Sequence, residues 1–268
     1  MIDETLITSL RRGVAVITGA TGTLGRELAA ELARLHLDLV LMGRNQKALE
    51  QLAVDLGDAG AGSATPLAWD LADSKRLTGL VDAVRQSAGQ RPISLMVHCA
   101  GADHEARGEA SLQRDLNINF HAPELLADMA HQDMQASGSG QIILLSSNLA
   151  LLGETRGTGY SRGKAGLERI ARAMIAQNRQ RNIHILVVVP GLIDSPLFRA
   201  GLARRPAWQR HFLKPRQSAA ELARQIVEDG MGRSGLMVMD SRHRILRWLA
   251  GIVPGRRTEH AWLSDKSR

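Results

Sequence analysis

Tyr160 is the only tyrosine in the chain; it stands in Gly-Tyr-Ser-Arg-Gly-Lys, with Lys164 four residues on and Ser147 thirteen residues back. A spacing of four on a helix puts two side chains on one face, one turn apart. A phenol, an ammonium and a hydroxyl gathered there would form a proton-transfer site. A free phenol titrates near ~10 and is a slow acid or base at neutral pH. A neighbouring ammonium favours the phenolate and lowers that value. The same spacing also suits a half-buried tyrosine that only anchors a helix start, so the rest of the chain has to decide between the two.

Such side chains need a frame. Short apolar runs alternate with longer amphipathic ones along the chain. Strands are expected at 14–18, 39–42, 64–69, 93–98, 141–145, 183–189 and 236–239, and helices at 24–35, 46–56, 74–88, 112–134, 160–177 and 219–228. After His184 the sixth run has no polar alternation, as expected of a strand buried on both faces. Seven strands alternating with helices predict an α/β fold. The expected form is a single Rossmann-like, doubly wound domain over residues 1–240, its sheet seven-stranded and mostly parallel, with helices on both faces. A length of 268 residues, 44% of them hydrophobic and few aromatic, suits one large domain filled by Val, Ile, Leu and Met.

The net charge of +7 is uneven: residues 1–203 hold 20 Lys/Arg against 21 Asp/Glu, and residues 204–268 hold 14 against 6. Basicity confined to the last quarter argues against a nucleic-acid-binding fold. Cys99 is the only cysteine, which excludes an internal disulfide and fits a reducing, cytoplasmic setting. No run approaches the about eighteen apolar residues of a membrane span. The start, Met-Ile-Asp-Glu-Thr, lacks the charged-then-apolar build of a signal peptide. The histidines are scattered without ligand spacing, so no metal is expected.

The first strand runs into Thr18-Gly19-Ala20-Thr21-Gly22-Thr23-Leu24-Gly25, and a helix follows. Glycines there permit a tight turn and close backbone approach, and the helix N-terminus offers N–H groups and a positive dipole end to a phosphate. A site for NAD carries an acidic residue at the end of the second strand to hold the ribose hydroxyls. Met42-Gly43-Arg44-Asn45 has a guanidinium there and no carboxylate. Arginine pairs bidentately with phosphate, so NADP(H) is the expected cofactor, unless Arg44 is an ordinary solvated charge.

With these motifs in order, nearly all of residues 13–240 resembles a short-chain dehydrogenase/reductase. The glycines at 19, 22 and 25 follow the family's extended-branch spacing, whereas its other main branch has glycine at the place of Thr23. Asp70-Leu71 resembles the family's adenine-contacting Asp-Val pair. His98-Cys99-Ala100-Gly101 matches Asn-Asn-Ala-Gly only in Ala100 and Gly101; His98 and Cys99 are read as packing residues. Asn119, Ser147, Tyr160 and Lys164 resemble the catalytic tetrad. Pro190-Gly191-Leu192-Ile193-Asp194-Ser195 resembles the segment that touches the nicotinamide, with Ser195 in place of threonine.

The resemblance implies an NADPH-dependent ketone or aldehyde reductase, or the reverse alcohol dehydrogenase. Tyr160 would be general acid or base, Lys164 would tune it and bond the nicotinamide ribose, Ser147 would hold the substrate oxygen, and Asn119 would hold a water leading to Lys164. The cofactor would lie along Thr18, Gly19, Thr21, Gly22, Thr23, Leu24, Gly25, Arg44, Asp70, Leu71, Ala100, Gly101, Tyr160, Lys164, Pro190, Gly191, Ile193 and Ser195. Each choice has a competitor in the sequence: Ser146 for Ser147, Asn117 for Asn119, and Arg162 or Arg169 as evidence of an ordinary charged face around Lys164.

Residues of about 192–216 would form a substrate lid. Its Phe198, Trp208 and Phe212, in a chain poor in aromatics, suggest an apolar acyl or ring-containing substrate, or a lid that packs its own core. The basic extension 241–268 departs from the family. Ile245, Trp248, Leu249 and Ile252 at i, i+3, i+4 and i+7, flanked by Arg242, Arg244 and Arg247, make a basic amphipathic stripe. That stripe either packs on its own domain or a sister subunit, or lies on an anionic membrane surface. The family pattern implies a homodimer or homotetramer through the helices at 112–134 and 160–177. The competing function class is a non-catalytic NADP(H)-binding sensor or membrane-associated scaffold.

Overall fold

Every residue of β1 (Val14–Thr18) is buried. Successive side chains on a strand point to opposite faces, so Val14 and Val16 join one apolar cluster while Ala15 and Ile17 join another. The same division runs through β2 (Asp38–Gly43), β4 (Ile93–His98), β5 (Ser139–Leu145) and β6 (Asn182–Val189). Val40, Met96, Ile142 and Val187 face one way; Leu39, Leu95, Ile143 and Val188 face the other. A sheet covered on both sides needs apolar residues at consecutive positions, which is why polar alternation is missing.

The computed structural model describes residues 3–103, 108–152, 158–178, 181–203, 214–215 and 217–240. One face of the sheet is covered by α1 (Glu4–Leu10), α2 (Thr23–Ala33), α3 (Gln46–Asp58) and α10 (Ala219–Gly230). The other face is covered by α5 (Leu80–Ser87), α7 (Ala122–Ser137) and α8 (Gly159–Gln177). With β3 (Ser63–Ala68) and β7 (Gly235–Val238), the strand order is β3-β2-β1-β4-β5-β6-β7. All six neighbouring pairs are parallel, where the sequence pattern predicts a mostly parallel sheet. The chain winds outward from β1 to β3, then crosses back to β4. The loops leaving β1 and β4 therefore turn to opposite sides, and a crevice opens at their C-terminal ends.

Some local features differ from the sequence expectation. Helix α1 is short, and its buried Leu6, Ile7 and Leu10 give too little periodic signal to be read; Asp3 caps it by accepting from the Thr5 N–H at 2.8 Å. The helix expected over 74–88 is broken into α4 (Ser74–Leu77) and α5, with Gly79 at the N-cap of α5. The helical region expected over 112–134 is α6 (Glu109–Leu116), a π-helical turn (Asn117–His121) and α7. β3 and β7 each sit one residue earlier than expected. Trp208, Phe212 and the extension 241–268 lie outside the described residues. Among the described residues no helix is long and apolar enough to cross a membrane, and no group of three or more His, Cys, Asp or Glu side chains could hold a metal ion.

Candidate active site

The crevice between β1 and β4 is a cavity of about 990 Å³, and its floor is the glycine turn. Gly19 has φ +67°, and a Cβ there would lie 2.8 Å from the Ala100 backbone, so only glycine lets the β1 and β4 loops touch. A Cβ on Gly25 would lie 2.1 Å from the Gly19 carbonyl oxygen, so glycine also sets how closely α2 approaches the turn. Gly22 is the N-cap of α2 and supplies no capping side chain. Gly19, Gly22, Thr23, Leu24 and Gly25 all line the cavity. Thr18 does not; its buried Oγ1 bonds His98 Nδ1 at 2.8 Å and accepts from the Ala100 N–H at 3.3 Å, tying the two loops together. Burial, then the nearby Lys164 charge, pushes His98 well below the ordinary imidazole range, so its ring is neutral.

At the end of β2, Arg44 is exposed and lines the cavity. Asn45 is committed to capping α3, accepting from the Ala48 N–H at 3.2 Å. Thr21, Asp70 and Leu71 do not line the cavity. Asp70 closes its own turn by accepting from the Ala72 N–H at 3.0 Å, and Leu71 is buried in the core.

The N-cap of α8 is Thr158, so Tyr160 enters the cavity from the first turn of that helix. Ser147 follows β5, accepts from the Leu149 N–H at 3.2 Å and hydrogen-bonds the Tyr160 side chain. Burial raises the phenol above its ordinary value of 10.0, the Ser147 bond opposes this, and Asp103 reinforces it. Lys164 is buried one turn further on; its Nζ donates to the carbonyl oxygens of Leu145 at 2.7 Å and Ala100 at 3.4 Å. Burial lowers Lys164 from 10.5 to about 8. The sequence reading expects Lys164 to pull the phenol down. Instead its Nζ sits 5.8 Å from the Tyr160 ring centroid, committed to two carbonyls, and burial prevails.

Asn119 lies in the π-helical turn, where its Nδ2 donates to the carbonyl oxygens of Ala102 and Asp115, both at 2.8 Å. Its buried Oδ1 has no partner among the described residues. A Cβ on Gly101 would lie 3.5 Å from that oxygen, 3.7 Å from Tyr160 Cε2 and 3.9 Å from Lys164 Nζ, so the three side chains converge around one glycine. Two further glycines bring α8 onto the π turn: a Cβ on Gly163 would lie 2.7 Å from Asn119 Cβ, and one on Gly166 would lie 2.6 Å from the Phe120 ring. The competitors are otherwise engaged, although Ser146 also lines the cavity. Asn117 donates to Ala72 O at 2.9 Å and Ser74 Oγ at 2.8 Å, Ser146 donates to Glu168, and Arg162 and Arg169 are exposed.

Pro190, Gly191, Leu192, Ile193 and Ser195 form the far wall. Ser195 Oγ accepts from the Phe198 N–H at 3.1 Å and starts α9 (Pro196–Ala203), whose Leu197, Phe198 and Leu202 turn the wall apolar. Cys99 also lines the cavity, its thiol pushed up to about 12 by burial and so protonated. Asp103 lines it too, beside the phenol; it stands in no motif, and sequence reasoning had no signal for it.

The profile of the short chain dehydrogenase family matches residues 13–205. The mouse dehydrogenase/reductase SDR family member 7B is 26% identical over 258 residues, covering 92% of this chain and 79% of the relative. The cis-4-hydroxycyclohexanecarboxylate dehydrogenase of Sinomonas cyclohexanicum is 31% identical over 216 residues, covering 79% of this chain and 84% of the relative. A short-chain dehydrogenase from Sphingobium yanoikuyae, solved in complex with NADPH, superposes with a TM-score of 0.72 at 22% identity, covering 96% of this chain and 97% of its own.

Proposed function

The chain belongs to the short-chain dehydrogenase family, and on that premise we propose that it is an NADP(H)-dependent oxidoreductase that reduces a ketone or aldehyde, with Tyr160 as the proton donor. The single observation that carries this reading is the buried phenol, bonded to Ser147 and opening into the cavity that the glycine turn floors. The residues fit a nicotinamide nucleotide. Gly19 and Gly25 let the turn close tightly, and Gly19, Gly22, Thr23, Leu24 and Gly25 together line the cavity at the start of α2. Gly19, Gly22, Thr23 and the first N–H groups of α2 would hold its phosphates. Arg44 would take the additional phosphate that separates NADP from NAD, since no carboxylate stands in Gly43-Arg44-Asn45 to bond the ribose hydroxyls instead. When bound, the nucleotide supplies or takes up the hydride.

The protein's own part is the proton. Tyr160, raised by burial, keeps its proton at neutral pH and is ready to deliver it from Oη to an oxygen that gains negative charge. Ser147 Oγ, within hydrogen-bonding reach of that phenol, would hold the same oxygen in place. A protonated phenol favours the reducing direction. The apolar wall of Leu149, Leu192, Leu197, Phe198 and Leu202 suits a ring or acyl body, and the Sinomonas relative is named for a hydroxylated ring carboxylate.

NADPH oxidation measured over a panel of cyclic ketones, linear ketones and aldehydes tests the reading, with Tyr160→Phe as control. Turnover is expected to fall on the order of 10²–10⁴-fold in the variant, with NADPH affinity retained. If the wild type binds NADPH but turns over no carbonyl faster than the variant, the protein is a nucleotide-binding module and the proposal fails.

A further inference from the structure

Helix α8 carries three buried polar side chains spaced one turn apart: Tyr160, Lys164 and Glu168. Positions i, i+4 and i+8 form one row along a helix face. Three consecutive residues at the end of β5 meet that row. The Leu145 carbonyl oxygen accepts from Lys164, Ser146 Oγ donates to Glu168 Oε1 at 2.5 Å, and Ser147 bonds Tyr160. Lys164 and Tyr160 belong to the site already described, while Glu168 stands outside it. A buried carboxylate is costly unless it is hydrogen-bonded. Its buried neighbours in the later turns of the helix, Leu167, Ala171 and Met174, are apolar.

The place where Glu168 grips is informative. The ladder between β5 and β6 ends at Leu145 opposite Val188, and the last strand-like bond runs from the Ser146 N–H to Val188 O at 2.7 Å. Ser147 lies beyond it, where the sheet no longer dictates the direction of a side chain. The adjoining peptide is held by Ser146, and the side chain of Ser146 is held by Glu168.

We propose that Glu168 is a positioning residue of the active site: by anchoring Ser146 it orients the peptide that aims Ser147 Oγ at Tyr160. The inference rests on the reading of Ser147 and Tyr160 as the reacting pair. Glu168 does not line the cavity, whereas Ser146 does, so the Ser147→Ala background separates an effect passed through Ser147 from a direct one of Ser146.

The test uses the full chain with NADPH and the best carbonyl substrate found in the panel. Ser146→Ala, Glu168→Leu and Glu168→Gln are made in the wild type and in a Ser147→Ala background, and kcat and NADPH affinity are measured for each. In the wild-type background, Ser146→Ala and Glu168→Leu are expected to lower kcat on the order of tenfold without changing NADPH affinity. Glu168→Gln, which keeps an acceptor, should restore most of the rate. In the Ser147→Ala background the same changes should cost nothing further. Wild-type kcat in Ser146→Ala, or equal losses in both backgrounds, overturns the proposal. Ser146→Ala removes only a hydroxyl and carries the test if Glu168→Leu does not fold. A Ser147→Ala protein with full activity would instead sink the underlying reading of the reacting pair, a distinguishable result.

Discussion

Replacing Lys164 by Met removes a buried charge while keeping the length of the side chain, and the pH dependence of stability should report it. Burial lowers Lys164 from 10.5 to about 8 in the folded chain. Between those values the unfolded chain binds more protons than the folded one, so stability rises with pH. Each pH unit of separation corresponds to about 1.4 kcal/mol. Integrated from pH 8 to pH 10, relief of the Lys164 burden amounts to about 2 kcal/mol. For a domain of this size that is roughly 4–8 °C in Tm. Two other groups act in the opposite direction. Tyr160 is raised above 10.0, so it costs stability only above pH 10. Cys99, raised from 9.0 to about 12, costs stability from pH 9 upward. The Tyr160 contribution lies above the measured range; the Lys164 charge itself lowers Cys99, so the comparison is made in a Cys99→Ala background, where that coupling is absent. Loss of the bonds to the Leu145 and Ala100 carbonyls adds an offset that pH leaves unchanged. Scanning calorimetry of both nucleotide-free proteins from pH 7 to pH 10 should therefore show the protein that keeps Lys164 gaining on the variant by that margin. Parallel Tm curves would refute the assignment of Lys164 as a desolvated, marginally charged group.

Three further outcomes follow from the geometry. Arg44→Ala should weaken NADPH binding on the order of 10–100-fold by calorimetric titration while leaving NADH binding unchanged, as expected if the exposed guanidinium at the cavity edge takes the additional phosphate. Gly25→Ala places a Cβ 2.1 Å from the Gly19 carbonyl oxygen; it should lower stability by about 1–3 kcal/mol in denaturant unfolding and reduce affinity for both nucleotides, since the turn must move. Asn117→Ala strips donors from Ala72 O and Ser74 Oγ and an acceptor from Gln113. It should cost about 1–3 kcal/mol of stability and leave NADPH affinity unchanged, in keeping with a strut outside the cavity.

The strands were legible because a doubly covered sheet demands consecutive apolar residues, and the runs at Val14–Thr18 and Ile93–His98 meet that demand without exception but Ser94 and the two terminal residues, Thr18 and His98. The cavity floor was legible because Gly19, Gly22 and Gly25 answer backbone clashes that any side chain would create. The π turn was not. One inserted residue leaves the 3.6 periodicity of α6 and α7 intact on either side, and the close approach that accompanies it comes from Gly163 and Gly166, more than forty residues away in sequence. The choice between Ser146 and Ser147 rested only on spacing. What separates them is Glu168, whose partner lies on another element. The upward Tyr160 shift of the nucleotide-free chain is hidden from the sequence for a similar reason: it depends on how dry the phenol is and on the two carbonyls that take the Lys164 bonds.

That last point bears on mechanism. Burial acts on both members of the Tyr160–Lys164 pair and moves them in opposite directions: up for an acid that would become negative, down for a base that would lose its positive charge. At neutral pH both still hold their protons. A phenol with a raised value is a reluctant base but a stable store of a proton, and a lysine near 8 can give one up with little penalty. On the proposed reading, such a site would deliver a proton from Tyr160 to the substrate oxygen during reduction. The two groups stand where α8 approaches the sheet end and the π turn, an approach that Gly163 and Gly166 permit.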